Sequence, residues 1–184
     1  MRAYAQEPAA IGLPGRYIVA VGRLEQQKRI DRLLEAFARS RLRKTHQLLI
    51  LGEGSLRQPL ELQVQALGLT GQVLMPGNVA NPHPDVLQAD FLVLASDHEG
   101  FPMVLIEALA LGKPVISTDC ATGPNEIIRH EHNGLLVVLD AVALAAAMDR
   151  LSLDRQLHAH MAAHAAESVA HLSIERIAER WLEL

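Results

Sequence analysis

Cysteine is nearly absent from this 184-residue chain, where Cys120 stands alone. A single thiol excludes an internal disulfide and fits a reducing compartment. Aromatic residues make up only 3% of the chain, so its core has to be built from Leu, Ala, Val and Ile. No apolar run approaches the ~20 residues that a membrane-spanning helix requires. Met1-Arg2-Ala3-Tyr4-Ala5-Gln6-Glu7 is not followed by the apolar segment of a secretory signal. Strong charge of one sign is missing too: the formal net charge is −4, which gives no general reason to expect nucleic acid. Repeats, low-complexity tracts and Ser/Gly linkers are lacking. What remains is 49% hydrophobic, ample at this length for one well-cored domain.

Short apolar runs alternate with helical patterns. Tyr17 to Val21 reads as a strand, and Ile30, Leu33, Leu34, Phe37 and Ala38 mark one face of a helix. Gln47 to Leu51 reads as a second strand, ending in the turn Gly52-Glu53-Gly54, and a helix over about 56–67 follows. Further strands are predicted at Val73–Met75, Asp90–Leu94, Pro114–Thr118 and Gly134–Val138. Asn81-Pro82 opens a small helix; others are predicted near 103–111, 124–130, 140–150, 153–166 and 173–183. Strands this short and apolar, spaced by helices, imply parallel pairing with both faces covered. The expected fold is therefore α/β: a Rossmann-like, doubly wound, mainly parallel six-stranded sheet with helices on both faces. Ligands of such a sheet bind beyond the carboxyl ends of the strands.

The richest stretch is Ser96-Asp97-His98-Glu99-Gly100-Phe101-Pro102-Met103-Val104-Leu105-Ile106-Glu107. It follows the strand Phe91-Leu92-Val93-Leu94 and opens a helix that Gly112 ends. Pro102 falls at the helix start, where its missing N–H costs nothing. The Met103, Val104 and Leu105 amides are then expected to be unpaired donors at the positive end of the helix dipole, a seat for phosphate. Glu99 precedes that seat and Glu107 lies about one turn inside the helix. Carboxylates accept from hydroxyls, so the arrangement suits a ligand with phosphates in the middle and polyols at both ends. A second constellation follows the first strand, where Gly22 permits close backbone approach, Arg23 offers a fork for phosphate oxygens and Lys28 adds a mobile charge. Asp31 reads as a residue that stabilises the helix dipole.

Gly22-Arg23-Leu24 with Lys28 and Asp31, then Gly52-Glu53-Gly54, Gly77-Asn78-Val79, Glu99-Gly100-Phe101-Pro102 and Glu107 come in one order. Together they resemble the C-terminal, donor-binding domain of family 4 retaining glycosyltransferases with the GT-B fold, from about Tyr17 to the chain's end. The resemblance implies that Arg23 and Lys28 hold a donor diphosphate and neutralise the leaving nucleotide, and that Glu107 accepts from ribose hydroxyls. It implies that Glu99 contacts the transferred sugar, with Gly100, Phe101 and Pro102 lining that pocket, and that the Met103 and Val104 amides meet phosphate. Residues near Val79 would touch the base, with Gly22 beside the phosphates. Glu99, Arg23 and Lys28 become the candidate catalytic groups, and transfer would retain anomeric configuration.

No Asp-x-Asp triplet, the usual metal anchor of the other main class of glycosyltransferases, occurs in the chain. The expectation is a metal-independent site without a cofactor, in which cations and a helix N-terminus stabilise the charge growing on the diphosphate. A hexose-type sugar from a nucleotide sugar, with a UDP-sugar favoured, would pass to a polysaccharide or glycolipid acceptor. Residues 1–16 read as a lead-in from an absent acceptor domain and 17–184 as the donor domain, so the chain alone is expected to bind donor but transfer little. The cytoplasm is the expected location, with peripheral association at the inner membrane face a secondary expectation. A sugar-nucleotide epimerase on the same architecture and a non-catalytic binding module stay open as alternatives. A dehydrogenase does not fit, because the first loop lacks a glycine-rich dinucleotide fingerprint.

Other residues read as structural. His158, His160 and His164 contain an i, i+4 pair, and His130 and His132 lie two apart, but in an alanine-rich helix they read as solvent-facing and no metal site is assigned. His98 adjoins the Glu99 loop, within reach of a donor sugar. Arg39, Arg41, Arg43 and Lys44 suit a helix C-terminus, and Cys120 reads as a small filler. Pro124 and Glu126 mark a capped helix start. Ile174, Ile177 and Trp181 are expected to leave apolar surface exposed on the last helix.

Overall fold

The computed structural model describes residues 4–182, with the side chains of Tyr4, Glu175, Arg180 and Leu182 excepted. The strands are β1 (Tyr17–Val21), β2 (Gln47–Leu51), β3 (Val73–Gly77), β4 (Leu92–Leu94), β5 (Val115–Thr118) and β6 (Gly134–Val137). The helices are α1 (Ile30–Arg39), α2 (Arg57–Ala66), α3 (His83–Gln88), α4 (Met103–Ala110), α5 (Pro124–Ile127), α6 (Ala141–Leu153), α7 (Arg155–Ser168) and α8 (Ile174–Leu182). All strand pairs are parallel and the sheet order is β3-β2-β1-β4-β5-β6. This is the doubly wound order, and its direction reverses between β1 and β4.

Alternation along the strands divides the core. Ile18, Ala20 and Ile50 join one apolar cluster with residues of α1, α2 and α6. Tyr17, Val19, Leu49 and Leu51 face the other side, with residues of α3, α4 and α7. A strand buried on both faces cannot alternate apolar with polar, which is why Tyr17–Val21 and the buried stretch Leu48–Leu51 carry no such alternation. Among the described residues no helix is long and apolar enough to cross a membrane.

Most expected elements stand within a residue or two. The strand expected at Asp90–Leu94 starts only at Leu92, although the Asp90 amide already donates to the Tyr17 carbonyl of β1, and the Asp90 side chain turns to Arg16 and His46. β3 runs on through Pro76 to Gly77; it is an edge strand, where a missing N–H is tolerated. The helix expected at 124–130 ends at Ile127, and the Asn133 side chain accepts from the Arg129 amide beyond it. The last helix ends at Leu182, and the residue expected to close it, Glu183, lies outside the described residues. Ahead of β1, the amides of Ala10 and Ile11 donate to the buried Asp85 carboxylate on α3 at 3.0 and 3.1 Å.

Candidate functional site

The loops that leave β1 and β4 flank the point where the sheet order reverses. After β1, Gly22 donates to Leu51 and Leu24 to Glu53, so this loop lies along the turn after β2. That approach explains Gly52: at φ 150° a Cβ there would sit 1.9 Å from the Gly22 carbonyl oxygen. Leu24 is buried, whereas Arg23 is exposed and has no hydrogen-bond or ion-pair partner among the described residues. The loop then turns through Arg29, a non-glycine residue at φ 47°. Its guanidinium donates to Asp31 at 3.0 Å and to Asp97 at 2.8 Å, which holds this conformation.

Asp97 is the hub between the two loops. Arg32 reaches its other oxygen, the Asp97 amide donates to Gln27, and the Gln27 side chain donates to the His98 carbonyl. Burial alone would raise the Asp97 carboxyl, but the Arg29 and Arg32 hydrogen bonds outweigh it and hold the group below its ordinary value. The clasp places Lys28 against Glu99, with Nζ 2.6 Å from Oε1. Glu99 is only 7% exposed, and its Oε1 also accepts from the Ser96 hydroxyl at 2.6 Å. Oε2 has no partner among the described residues and remains available to a hydroxyl donor.

The loop after β5 closes over this one. Thr122 donates to the Glu99 carbonyl, and Thr118 donates to the Ser96 carbonyl at 2.6 Å. Gly123, at φ 91°, leaves the space that a Cβ 2.7 Å from the Pro102 ring would fill. Cys120 is buried beside these contacts, and burial together with the Glu99 charge pushes its thiol up, away from nucleophile chemistry.

Pro102 is the N-cap of α4. One expectation is corrected here: the Leu105 amide is not free, since it donates to the Pro102 carbonyl at 3.0 Å in a tight first turn. Met103 and Val104 keep amides without a partner among the described residues. Phe101 and Met103 are about half exposed at the mouth, Gly100 is exposed and Pro102 is buried. Glu107 is half-buried on α4, and His83 Nε2 of α3 lies 3.7 Å from its Oε2. Val79 packs against the second core cluster on the β3 side.

The carboxyl edge thus unites Lys28 with Glu99 directly and sets Arg23, the α4 amides and Glu107 on the elements around them. His83 is a residue that sequence reading missed: both ring nitrogens are buried without a hydrogen-bond partner, beside Glu107. The available signal was Asn81-Pro82-His83 opening a helix directly after a strand's carboxyl end. The expectation for the remaining histidines is corrected as well. His158 turns inward rather than to solvent, since its Nε2 bonds the Asp90 carbonyl at 3.0 Å. His160 is exposed, as expected, but its ring converges with those of the half-buried His132 and His164. Ile174 and Trp181 are exposed on α8, as expected.

Doubly wound sheets bind their ligands at the switch point, and here cations, a helix N-terminus and two carboxylates stand around it. The family model described as glycosyl transferases group 1 matches residues 5–168, and the chain belongs to that family. It is 36% identical to an exopolysaccharide phosphotransferase of Streptomyces coelicolor, over 94% of this chain and 19% of that protein. It is 38% identical to an N-acetylgalactosaminyltransferase acting on a diphospho-undecaprenol-linked sugar in Campylobacter jejuni, over 71% of this chain and 35% of that protein. The chain therefore spans well under half the length of these relatives. Among solved structures, S. aureus TarM in complex with fondaparinux, alpha-GlcNAc-glycerol and UDP superposes with a TM-score of 0.83 at 26% identity. The match covers 92% of this chain and 35% of that one.

Proposed function

We propose that the chain is the donor-binding half of a retaining, family 4 glycosyltransferase that moves a hexose-type sugar from a UDP-sugar to a polysaccharide or lipid-linked acceptor. The observation that carries this is the pair of half-buried Lys28 and buried Glu99 at the switch point, with exposed Arg23 and the free amides of α4 beside it. Glu99 fixes Lys28 at the crevice through Oε1 and offers Oε2 to a sugar hydroxyl. Arg23, Lys28 and the amides of Met103 and Val104 take the diphosphate. Fixed donors of this kind act most strongly as the glycosyl–phosphate bond breaks and charge grows on the leaving group. Glu107 accepts from the ribose hydroxyls, and the backbone at Val79 meets the base. With these cations in place the donor chemistry is metal-independent.

Support for a UDP-sugar comes from the UDP in the TarM complex, and support for a lipid-linked acceptor from the Campylobacter relative's name. The phosphotransferase name belongs to a protein of which this chain matches 19%, so it describes more than the matched part. In a whole protein of this kind the acceptor would bind to the part that this chain does not match, across a closed cleft that orients it and excludes water. A calorimetric panel of UDP-, GDP- and ADP-sugars tests the reading. Saturable binding of a UDP-sugar should be lost in an Arg23→Ala/Lys28→Ala/Glu107→Ala variant. Equal binding by both proteins would sink the proposal, and release of an epimer without acceptor would replace it with the epimerase reading.

A further inference from the structure

The opposite edge of the sheet carries a second cluster, independent of the donor site. His132 lies in the turn that leads into β6, ahead of that strand's first residue, and His160 and His164 lie one turn apart on α7. The three rings gather at centroid distances of 4.4, 4.4 and 5.8 Å. One nitrogen from each lies within 4.8 Å of the other two. Three imidazoles bunched in this way gain little from one another, since no two can be charged without repulsion.

The tautomer of one ring is set. His164 Nδ1 lies 2.8 Å from the His160 carbonyl, and a carbonyl oxygen only accepts, so Nδ1 carries the proton and Nε2 is left with its lone pair. Histidines that ligate metals are oriented by this kind of backbone hydrogen bond. The turn bearing His132 is anchored to the same helix, because buried Asn133 donates to Ser168 at 2.9 Å and to the Ile127 carbonyl at 3.1 Å. A hollow of about 390 Å³ opens beside the rings, lined by Arg129, His132, His164, Glu167, Ser168 and His171.

We propose that His132, His160 and His164 form a binding site for a late first-row divalent cation of the zinc type, with water or Glu167 completing the shell. A tetrahedral zinc site with ~2.05 Å bonds sets its ligand atoms about 3.3 Å apart. The observed spread closes to that value by rotation of the exposed His160 and half-buried His132 and His164 side chains. Imidazole donors select zinc, nickel or copper over magnesium and calcium, which prefer oxygen. The ion would staple the turn before β6 to α7, which packs on α4, the helix that carries the donor-site amides. It lies at the amino edge of the sheet and takes no part in sugar transfer.

The test is titration of Zn²⁺ into the untagged, chelator-treated chain at neutral pH, read by calorimetry, with Co²⁺ substitution read by visible absorption. One ion should bind with a Kd tighter than about 10 µM and cobalt should show tetrahedral ligand-field bands. His160→Ala and His164→Ala should each weaken binding by about tenfold or more, while His130→Ala, an imidazole outside the cluster, leaves it unchanged. These side chains are partly or fully exposed, and unchanged circular dichroism of the variants without metal shows that they fold. Absence of saturable binding, or binding that survives in a His132→Ala/His164→Ala double variant, would overturn the site.

Discussion

The two carboxylates of the crevice are held in opposite ways. Glu99 is buried, ion-paired to Lys28 at 2.6 Å, bonded to Ser96, and locked from behind by the Thr122 contact and the Asp97 clasp. Glu107 is 31% exposed, and its ion-pair neighbour among the described residues is limited to the His83 imidazole, 3.7 Å away and making no hydrogen bond. One carboxylate is preorganised by the protein; the other is left for a ligand to satisfy. A group fixed before binding loses no freedom when the reaction develops charge, which is what a catalytic position requires. A group that only recognises a hydroxyl needs no such anchoring. Stability and affinity should therefore separate along the crevice.

The largest effect is expected at Lys28. Lys28→Ala leaves the Glu99 carboxylate buried with Ser96 as its one remaining partner, at a cost of about 3 kcal/mol. In a domain of this size that lowers Tm by about 6–10 °C, and affinity for a UDP-sugar should fall by about tenfold or more. Lys28→Met combined with Glu99→Gln removes both charges and should recover most of the stability while affinity stays low. Thermal melts and calorimetry on the cycle read both quantities. If the double variant melts as low as Lys28→Ala, the pair is not what anchors the loop, and the contrast with Glu107 fails.

An intermediate effect is expected on the other side. Glu107→Gln removes a charge that no close partner uses, so Tm should fall by no more than about 2 °C, because changes that break no such contact cost about 0.5 kcal/mol. Donor affinity should still fall by about tenfold, the worth of a hydrogen bond to a charged acceptor. Binding of the free nucleoside diphosphate should fall equally, since the group is assigned to ribose. A drop in Tm comparable to that of Lys28→Ala would show that Glu107 is structural.

What the sequence made legible follows from the range of the interactions. β1 and β2 could be read to the residue because continuous apolar runs bounded by Gly and polar residues are local signals. Glu99 and Lys28 could be picked out in the loops after two strands and Glu107 about one turn inside the following helix, yet that Lys28 and Glu99 pair directly joins residues 71 apart in the chain. The Leu105 amide was misjudged because a tight 3₁₀-like turn and an open one share a sequence pattern. His83 went unseen because its place beside Glu107 depends on α3 packing against α4. The histidines on α7 were read as solvated because helical periodicity says nothing of His132, which arrives from a separate turn with a left-handed residue, Glu131 at φ 63°, just before it.

The smallest effect sharpens the comparison from behind the site. Asp97 touches no proposed ligand, but its two arginines hold the loop that carries Glu99. Its carboxyl is held below the ordinary value of 3.8 in the folded chain, so the unfolded chain binds the proton first as pH falls. The clasp's contribution is therefore fully present above pH 3.8 and is lost as pH drops through the depressed folded value. Because the carboxylate is 36% exposed, screening limits that contribution to ~1 kcal/mol or less. Denaturant unfolding at neutral pH and near pH 3 should show Asp97→Asn less stable than the parent at neutral pH, with the gap narrowing in acid. Donor affinity in the same variant should change less than for Glu107→Gln, since the loop keeps its Thr122 and Lys28 contacts. A larger affinity loss for Asp97→Asn would mean that Glu99 is positioned chiefly by the arginine clasp, and the weight now assigned to Lys28 would move to Arg29 and Arg32.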